Sequence, residues 1–337
     1  MHVINAMNRQ IMLASRPPQQ GWVTNENFRL IETPQQEPAP GELLIRNHWL
    51  SIDPYMRGRM NDARSYAPPQ PLGEVMLGSA AGEVIASCHP DFSVGDFVVG
   101  RLGWQEYAIS NGDGLLQVDV KCAPLSDYLG VLGMPGVTAW IGLFDICQPK
   151  PGETVLVTAA AGAVGSVVGQ LARLHGCRAV GVAGGAEKCR YVVDELGFDA
   201  CIDYKAGELW PALKAATPER IDCLFENVGG EIFDTLLGRM NSFSRIALCG
   251  MIAQYNSAPY PVRNLSALLV NRIRLQGFIV TEMLSRWPLA LAELGEHRAA
   301  GRLKYRESVV EGLENAPSAL VGLLRGENLG KQLVRLI

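Results

Sequence analysis

One stretch constrains this chain more than any other: Val155-Leu156-Val157-Thr158-Ala159-Ala160-Ala161-Gly162-Ala163-Val164-Gly165-Ser166. An apolar run of strand character enters a turn made only of small residues, and the turn opens a helix. Small residues let a backbone approach a bulky anion closely, and the first N–H groups of a helix offer partial positive charge to it. In the strand–G-x-G-x-x-G–helix pattern that cradles a pyrophosphate, Gly162 permits the close approach and Gly165 the tight packing of helix on strand. Ala160 stands where the first glycine of that pattern would be. A glycine pattern alone is weak evidence, since a glycine-lined helix contact looks the same. This one opens a long alternation of strands and helices, which favours the ligand-holding reading.

That alternation begins near residue 125. Strand-like runs at 153–158, 178–183, 200–204, 222–226, 245–250 and 275–280 are separated by helical stretches at 163–175, 187–196 and 231–240. Apolar strands joined by helices imply parallel pairing with right-handed crossovers, hence an α/β fold with a doubly wound sheet of Rossmann type. Ahead of residue 125, short β-like runs at 42–46, 83–87, 97–99 and 107–110 lie between Pro- and Gly-rich turns, as in a barrel or sandwich. The tail from Arg302 again reads as short strands with one helix at 316–325. A length of 337 residues suits two domains, expected at 1–124 with 302–337 and at 125–301.

The end of the second strand of the alternation decides between nucleotides. NAD-binding turns place an acid about 20 residues after the glycines to bond the ribose hydroxyls. Here the chain reads Val182-Ala183-Gly184-Gly185-Ala186-Glu187-Lys188. The open, glycine-lined end at Gly184 accommodates the additional phosphate of NADP, with Lys188 to pair it and Tyr204 to bond it. Glu187 keeps NAD in view, although it reads as an outward helix residue.

Composition excludes other classes. Thirty Lys plus Arg against 34 Asp plus Glu leave a net charge of -4, which suits no nucleic-acid partner. No apolar run approaches the ~18–20 residues of a membrane span, and residues 1–20 lack the apolar core of a signal peptide. The eight cysteines form no C-x-x-C pair and read as reduced thiols of a cytoplasmic protein. Cys88, Cys122, His2, His48 and His89 stand in no zinc-ligand spacing, so no metal is expected. Without a Lewis acid to acidify an alcohol, simple alcohol oxidation is disfavoured.

Several motifs together resemble a known family. They are Leu50-Ser51-Ile52-Asp53-Pro54-Tyr55-Met56-Arg57-Gly58, Gly133-Met134-Pro135-Gly136-Val137-Thr138-Ala139, the run 159–169 with Glu187-Lys188, Glu226-Asn227-Val228-Gly229-Gly230, Cys249-Gly250-Met251-Ile252-Ala253-Gln254-Tyr255-Asn256, and Gly326-Glu327-Asn328-Leu329-Gly330-Lys331. Over essentially its whole length the chain resembles the zinc-free medium-chain reductases of the prostaglandin and curcumin reductase group. These reduce the C=C bond of α,β-unsaturated carbonyls with NADPH. The resemblance implies a GroES-like β-barrel catalytic domain built from both chain ends, a Rossmann domain between them, and a site in the cleft.

It further implies that Ala163, Val164, Gly165 and Ser166 hold the pyrophosphate while Lys188 and Tyr204 hold the adenosine phosphate. Asn227, the segment Cys249, Gly250, Met251, Ile252 to Tyr255, the run Phe278, Ile279, Val280, and Asn328 would line the rest of the cofactor, with Thr138 on the nicotinamide side. One departure stands out. Mammalian prostaglandin-type members carry a tyrosine just ahead of the strand at 275–280, where this chain reads Leu269-Val270-Asn271.

Hydride addition to the β-carbon of an enone pushes charge onto the carbonyl oxygen, which calls for a neutral hydrogen-bond donor. Tyr255, following the strand-end run Leu248-Cys249-Gly250, is the first candidate and Tyr55 the second. The cofactor's ribose hydroxyl is the alternative donor. Asp53 and Arg57 read as structural, and Trp104 and Tyr107 either wall the pocket or pack the core. Three functions stay open: enone or enal reductase, quinone reductase, and a non-catalytic NADPH-binding protein. A homodimer paired through the strand at 275–280 is a further expectation.

Overall fold

The structure, a computed structural model, describes residues 7–337; residues 1–6, His2 among them, lie outside it. In chain order the first elements are β1 (Met7–Leu13), β2 (Phe28–Pro34), β3 (Leu43–Ser51), α1 (Tyr55–Arg59), β4 (Ala80–Ser87), β5 (Phe97–Gly100), β6 (Tyr107–Ser110) and β7 (Leu116–Val118). Next come α2 (Met134–Ile141), β8 (Thr154–Thr158), α3 (Gly165–Leu174), β9 (Arg178–Ala183), α4 (Ala186–Arg190), β10 (Ala200–Asp203) and α5 (Leu209–Ala216). The chain continues through β11 (Ile221–Glu226), α6 (Gly230–Leu237), β12 (Met240–Leu248), α7 (Ser266–Val270), β13 (Arg274–Gly277) and α8 (Trp287–Ala299). It ends with β14 (Glu307–Glu311), α9 (Ala316–Leu324) and β15 (Lys331–Arg335). Residues 7–129 with Glu307–Ile337 make one compact unit and Gly130–Arg306 the other.

The first unit is barrel-like because β3 serves three neighbours. It pairs antiparallel with β4 along its length, with β6 at Leu43–Arg46, and with β15 at Trp49–Ser51. Two register shifts in the β3–β4 ladder let the strand bend between partners. Gly82 is required there, since a Cβ on it would lie 2.3 Å from the Arg46 carbonyl oxygen. The C-terminal strand is fastened to the start of the chain by a buried ion pair. Lys331 Nζ, on a residue 1% exposed, donates to Asp53 Oδ1 at 2.8 Å and to the Ile52 carbonyl at 2.9 Å. Ser51 Oγ donates to the other Asp53 oxygen. Arg57 is likewise structural, its Nη2 donating to the carbonyls of Pro18 at 2.8 Å and Gly21 at 3.0 Å. Trp104 is fully buried and stacks on Phe28 in this unit's core.

The second unit carries one parallel sheet in the order β10-β9-β8-β11-β12-β13. Numbered from β8 this is 3-2-1-4-5-6, the dinucleotide-binding order, with its topological switch point between β8 and β11. Val155, Leu156 and Val157 are wholly buried, as a central strand covered on both faces requires. The helix after the turn starts at Gly165 rather than 163, with Val164 as its N-cap. The stretch expected as one helix at 187–196 is α4 followed by a wider π-type turn at Tyr191–Glu195.

The helix expected at 231–240 ends at Leu237, and Met240 already opens β12, which began far earlier than 245. The last strand is Arg274–Gly277, so Phe278, Ile279 and Val280 have left the sheet. The ribbon of β1 and β2 and helices α5 and α8 were not among the expected elements; Trp140 Nε1 donates to Glu293 of α8 at 2.7 Å.

The switch point is locked by one carboxylate. Glu226, the last residue of β11, is 0% exposed. Its Oε1 accepts from Thr158 Oγ1 at 3.0 Å and from the N–H groups of Val228 at 2.5 Å and Gly229 at 2.7 Å. Its Oε2 is buried with no hydrogen-bond partner among the described residues. Burial outweighs these donors and raises the carboxyl pKa to about 7. The neighbouring Asn227 completes the latch: its N–H donates to Thr158 Oγ1 and its Nδ2 to the Thr158 carbonyl, both at 2.8 Å. The Glu226 carbonyl accepts from Cys249 N–H at 2.9 Å and from Gly250 N–H at 3.1 Å. The ends of β8, β11 and β12 are thereby held in one arrangement.

Two predictions follow from these buried charges. Lys331→Met should cost about 3–5 kcal/mol in guanidinium unfolding, because Asp53 is left buried without its cation; a parallel Asp53→Asn change should recover part of that loss. Glu226 binds a proton in the folded chain that the unfolded chain has released, so stability falls as pH rises from the ordinary carboxyl value of 4.5 through about 7. Glu226→Gln should remove a slope worth about 3 kcal/mol between about pH 5 and 8, read as the difference between wild-type and variant urea curves.

Candidate functional site

The expected pyrophosphate turn lies at the carboxyl end of β8, beside the Glu226 latch. A Cβ on Gly165 would stand 2.4 Å from the Ala159 carbonyl oxygen and 2.9 Å from Ala160 Cα, so the helix can approach the strand only through glycine. At Gly162 the same atom would be 3.2 Å from that carbonyl, a tight fit. Ala159 takes φ 52, which turns the chain sharply after the strand. Ala163 and Val164 complete the turn into α3. Ser166 is fully buried, and its hydroxyl has no hydrogen-bond partner among the described residues. Its N–H already donates to the Gly162 carbonyl at 3.0 Å.

At the end of β9 the fold brings Gly184, Lys188 and Tyr204 together. A Cβ on Gly184 would meet the Tyr204 hydroxyl at 2.8 Å and Lys205 Cε at 2.9 Å. Tyr204 is 41% exposed, with Lys205 Nζ 5.9 Å from its ring centre. Lys188 lies in the first turn of α4, and its ammonium pKa is lowered by burial first and then by the Lys205 charge. The Lys205 charge disfavours the Lys188 ammonium, an effect that an anion bound at this rim would offset. Glu187 points outward and is exposed, as expected of a helix-surface residue. Glu187 acts favourably on the Lys188 charge, and the carboxylate of Asp203 is engaged with the backbone: its Oδ1 accepts from the N–H groups of Gly185 at 2.8 Å and Lys205 at 2.9 Å.

The third region is an open pocket of about 440 Å³ at the carboxyl ends of β12 and β13. Cys249, Gly250, Met251, Tyr255, Phe278 and Ile279 line it. The Tyr255 hydroxyl accepts from Met251 N–H at 3.5 Å. Ile252 is tied to the latch by its N–H, which donates to the Asn227 carbonyl at 3.2 Å. Val280 falls in a short turn just past the lining, where its carbonyl accepts from Trp287 Nε1 at 3.1 Å. Burial, then the Glu226 charge, pushes the Cys249 thiol up to about 12. Thr138 is buried in α2, its hydroxyl bonded back to the Met134 carbonyl at 2.7 Å.

Tyr55 and Asn328 belong to the barrel-like unit. Tyr55 opens α1 directly after the Asp53–Lys331 pair. Burial first, then the Asp53 charge, holds its phenol pKa well above the usual value. Asn328 Nδ2 donates to the Gly330 carbonyl at 2.7 Å. Sequence reasoning assigned no role to Glu226, Thr158 or Lys205. An acid closing the apolar run Cys223–Phe225 was the available signal for the first, and the adjacent Tyr204-Lys205 pair for the last. Among the described residues no group of three or more His, Cys, Asp or Glu is placed to hold a metal ion.

Comparison with known proteins agrees with this architecture. Residues 9–118 match the family model described as the N-terminal domain of oxidoreductase, and residues 163–296 that described as zinc-binding dehydrogenase. The chain is 48% identical to the NADPH-dependent curcumin reductase of Escherichia coli K12, over 97% of this chain and 96% of that one. It is 42% identical to prostaglandin reductase 1 of Rattus norvegicus, covering 94% and 96%. The crystal structure of CurA from Vibrio vulnificus in complex with NADPH superposes with a TM-score of 0.93 at 48% identity, covering 98% of this chain and 99% of that one. The chain belongs to the medium-chain reductase family that contains the curcumin and prostaglandin reductases.

Proposed function

We propose that this protein is an NADPH-dependent reductase of the C=C bond of α,β-unsaturated ketones and aldehydes. The observation that carries the reading is a tyrosine-lined pocket joined through the Glu226–Asn227 latch to a small-residue turn, at the carboxyl ends of a 3-2-1-4-5-6 sheet. The residues present fit a dinucleotide. Gly165 lets α3 close onto the end of β8 and Gly162 keeps the turn free of side chains where a pyrophosphate would approach, and the cations Lys188 and Lys205 suit the phosphate that distinguishes NADPH from NADH. When bound, NADPH supplies the hydride that adds to the β-carbon of the substrate.

The chain's own residues then have three tasks. Ala163 to Ser166 hold the pyrophosphate, with Lys188 and Tyr204 on the adenosine phosphate. Asn227, the 249–252 segment and the 278–280 run flank the remainder, and Thr138 lies on the nicotinamide side. Tyr255 donates a hydrogen bond to the carbonyl oxygen as negative charge gathers there, its hydroxyl placed at the pocket wall beside the N–H of Met251. Tyr55, kept neutral by burial and by Asp53, is the second donor. Both Tyr55 and Asn328 are assigned on the family's pattern alone.

Cys249 has a third, passive part. An enone is a soft electrophile, and only a thiolate attacks it readily. A thiol with its pKa at about 12 stays protonated and leaves the substrate to be reduced rather than captured.

The end strand β13 exposes all four of its residues. We further propose that it pairs with the same strand of a second copy; a monomeric mass by sedimentation would exclude that homodimer. The chain's free cysteines support a reducing, cytoplasmic location.

Three arms test the function. Purified protein should oxidise NADPH when given a medium-chain enone, and oxidise NADH far more slowly. Preference for a quinone would replace the proposed substrate class, and cofactor binding without turnover would remove the enzyme reading. Lys188→Ala should raise KM for NADPH about 10- to 100-fold and leave that for NADH nearly unchanged. Tyr255→Phe should lower kcat about 10²- to 10³-fold with NADPH affinity retained; an unchanged kcat would shift the donor role to the ribose hydroxyl.

A further inference from the structure

Two cysteines meet beside the phosphate rim. Cys189 follows Lys188 in α4, Cys201 lies in β10 three residues before Tyr204, and their sulfurs are 3.2 Å apart. A disulfide needs about 2.05 Å, so roughly one ångström of approach separates the dithiol from a bond. The approach is prepared by the sheet. Cys201 is in register with Gly181 of β9, where a Cβ would stand 3.3 Å from the Cys201 sulfur and 3.0 Å from Val192 Cγ1. The missing side chain is what lets the sulfur lie across β9 toward α4. Both cysteines are partly exposed, whereas the other close pair, Cys147 and Cys223, is buried.

We propose that Cys189 and Cys201 form an oxidisable dithiol whose disulfide weakens binding of the NADPH adenosine phosphate. Burial raises the Cys189 thiol pKa, but the Cys201 S–H donates to the Cys189 sulfur and favours its thiolate, which makes Cys189 the attacking group and Cys201 the resolving one. The oxidant is a hydroperoxide. The Cys189 thiol gives up its proton and its sulfur attacks one peroxide oxygen, breaking the O–O bond; that sulfur becomes a sulfenic acid, and the leaving oxygen takes up the proton as an alcohol, or as water when the oxidant is hydrogen peroxide. Cys201 sulfur then displaces hydroxide from the sulfenic sulfur, and its proton leaves with that hydroxide as water. Two electrons pass from the two thiols to the peroxide. The bond draws the first turn of α4 toward β10 and closes the space between Lys188 and Tyr204. The coupling rests on the assignment of those two residues to the phosphate.

The test exposes the whole protein to hydrogen peroxide, then measures intact mass, peptide linkage, and Kd for NADPH and NADH. The expected result is a loss of about 2 Da, with the Cys189 and Cys201 peptides joined. NADPH affinity should fall about 5- to 10-fold while NADH affinity is unchanged, and dithiothreitol should reverse both changes. Cys201→Ser should instead accumulate a dimedone-reactive sulfenic acid at Cys189 and keep its NADPH affinity. Absence of the joined peptide would overturn the proposal. So would a joined peptide with unaltered NADPH affinity in a protein whose Lys188→Ala variant does lose affinity. If Lys188→Ala leaves NADPH binding unchanged, the phosphate assignment itself has failed and takes the coupling with it.

Discussion

The Glu226 latch is the constraint on which the nucleotide unit's working end depends. A parallel sheet brings its strand ends together at the switch point but does not by itself fix the loops that leave them. One buried carboxylate does so here, taking the Thr158 hydroxyl from β8 and two N–H groups from the turn after β11. Asn227 adds two bonds back to Thr158, and the Glu226 carbonyl catches the chain leaving β12. Burying a carboxyl is costly unless it is hydrogen-bonded. The cost is expressed in its raised pKa, and the return is a fixed relation between the pyrophosphate turn and the tyrosine-lined pocket.

A second feature recurs in each unit: side chains able to ionise or react are kept neutral. The Tyr55 phenol and the Cys249 thiol are both pushed upward by burial, each helped by a nearby carboxylate. For a reaction that develops an enolate, neutral donors are useful and a nucleophilic thiolate is harmful. Where charge is concentrated, at Lys188 and Lys205, it lies at the open end of β9 that an additional phosphate would occupy.

The sequence was most legible where one local rule decides the structure. The small-residue turn, the glycines Gly165 and Gly184, and the alternating buried strands each follow from sterics that a few neighbouring residues reveal. The misplaced boundaries arose where tertiary contact overrides local pattern. Met240 to Ser244 read as the end of a helix and the loop after it, yet they extend β12. Phe278 keeps strand-like chemistry, but packs edge-on against Phe225 outside the sheet. Glu226 and Lys331 are charged residues in buried places, and nothing local announces the partners that make such burial tolerable. Asp53 and Lys331 are 278 positions apart.

The most direct test of the account is the position of NADPH in a co-crystal with this protein. The pyrophosphate is expected on the backbone N–H groups of Ala163 to Ser166, the adenosine phosphate between Lys188 and Tyr204, and the nicotinamide end at the pocket formed by Cys249, Gly250 and Tyr255. A cofactor bound away from the carboxyl ends of β8, β11 and β12, or an adenosine phosphate turned from Lys188 into solvent, would contradict it.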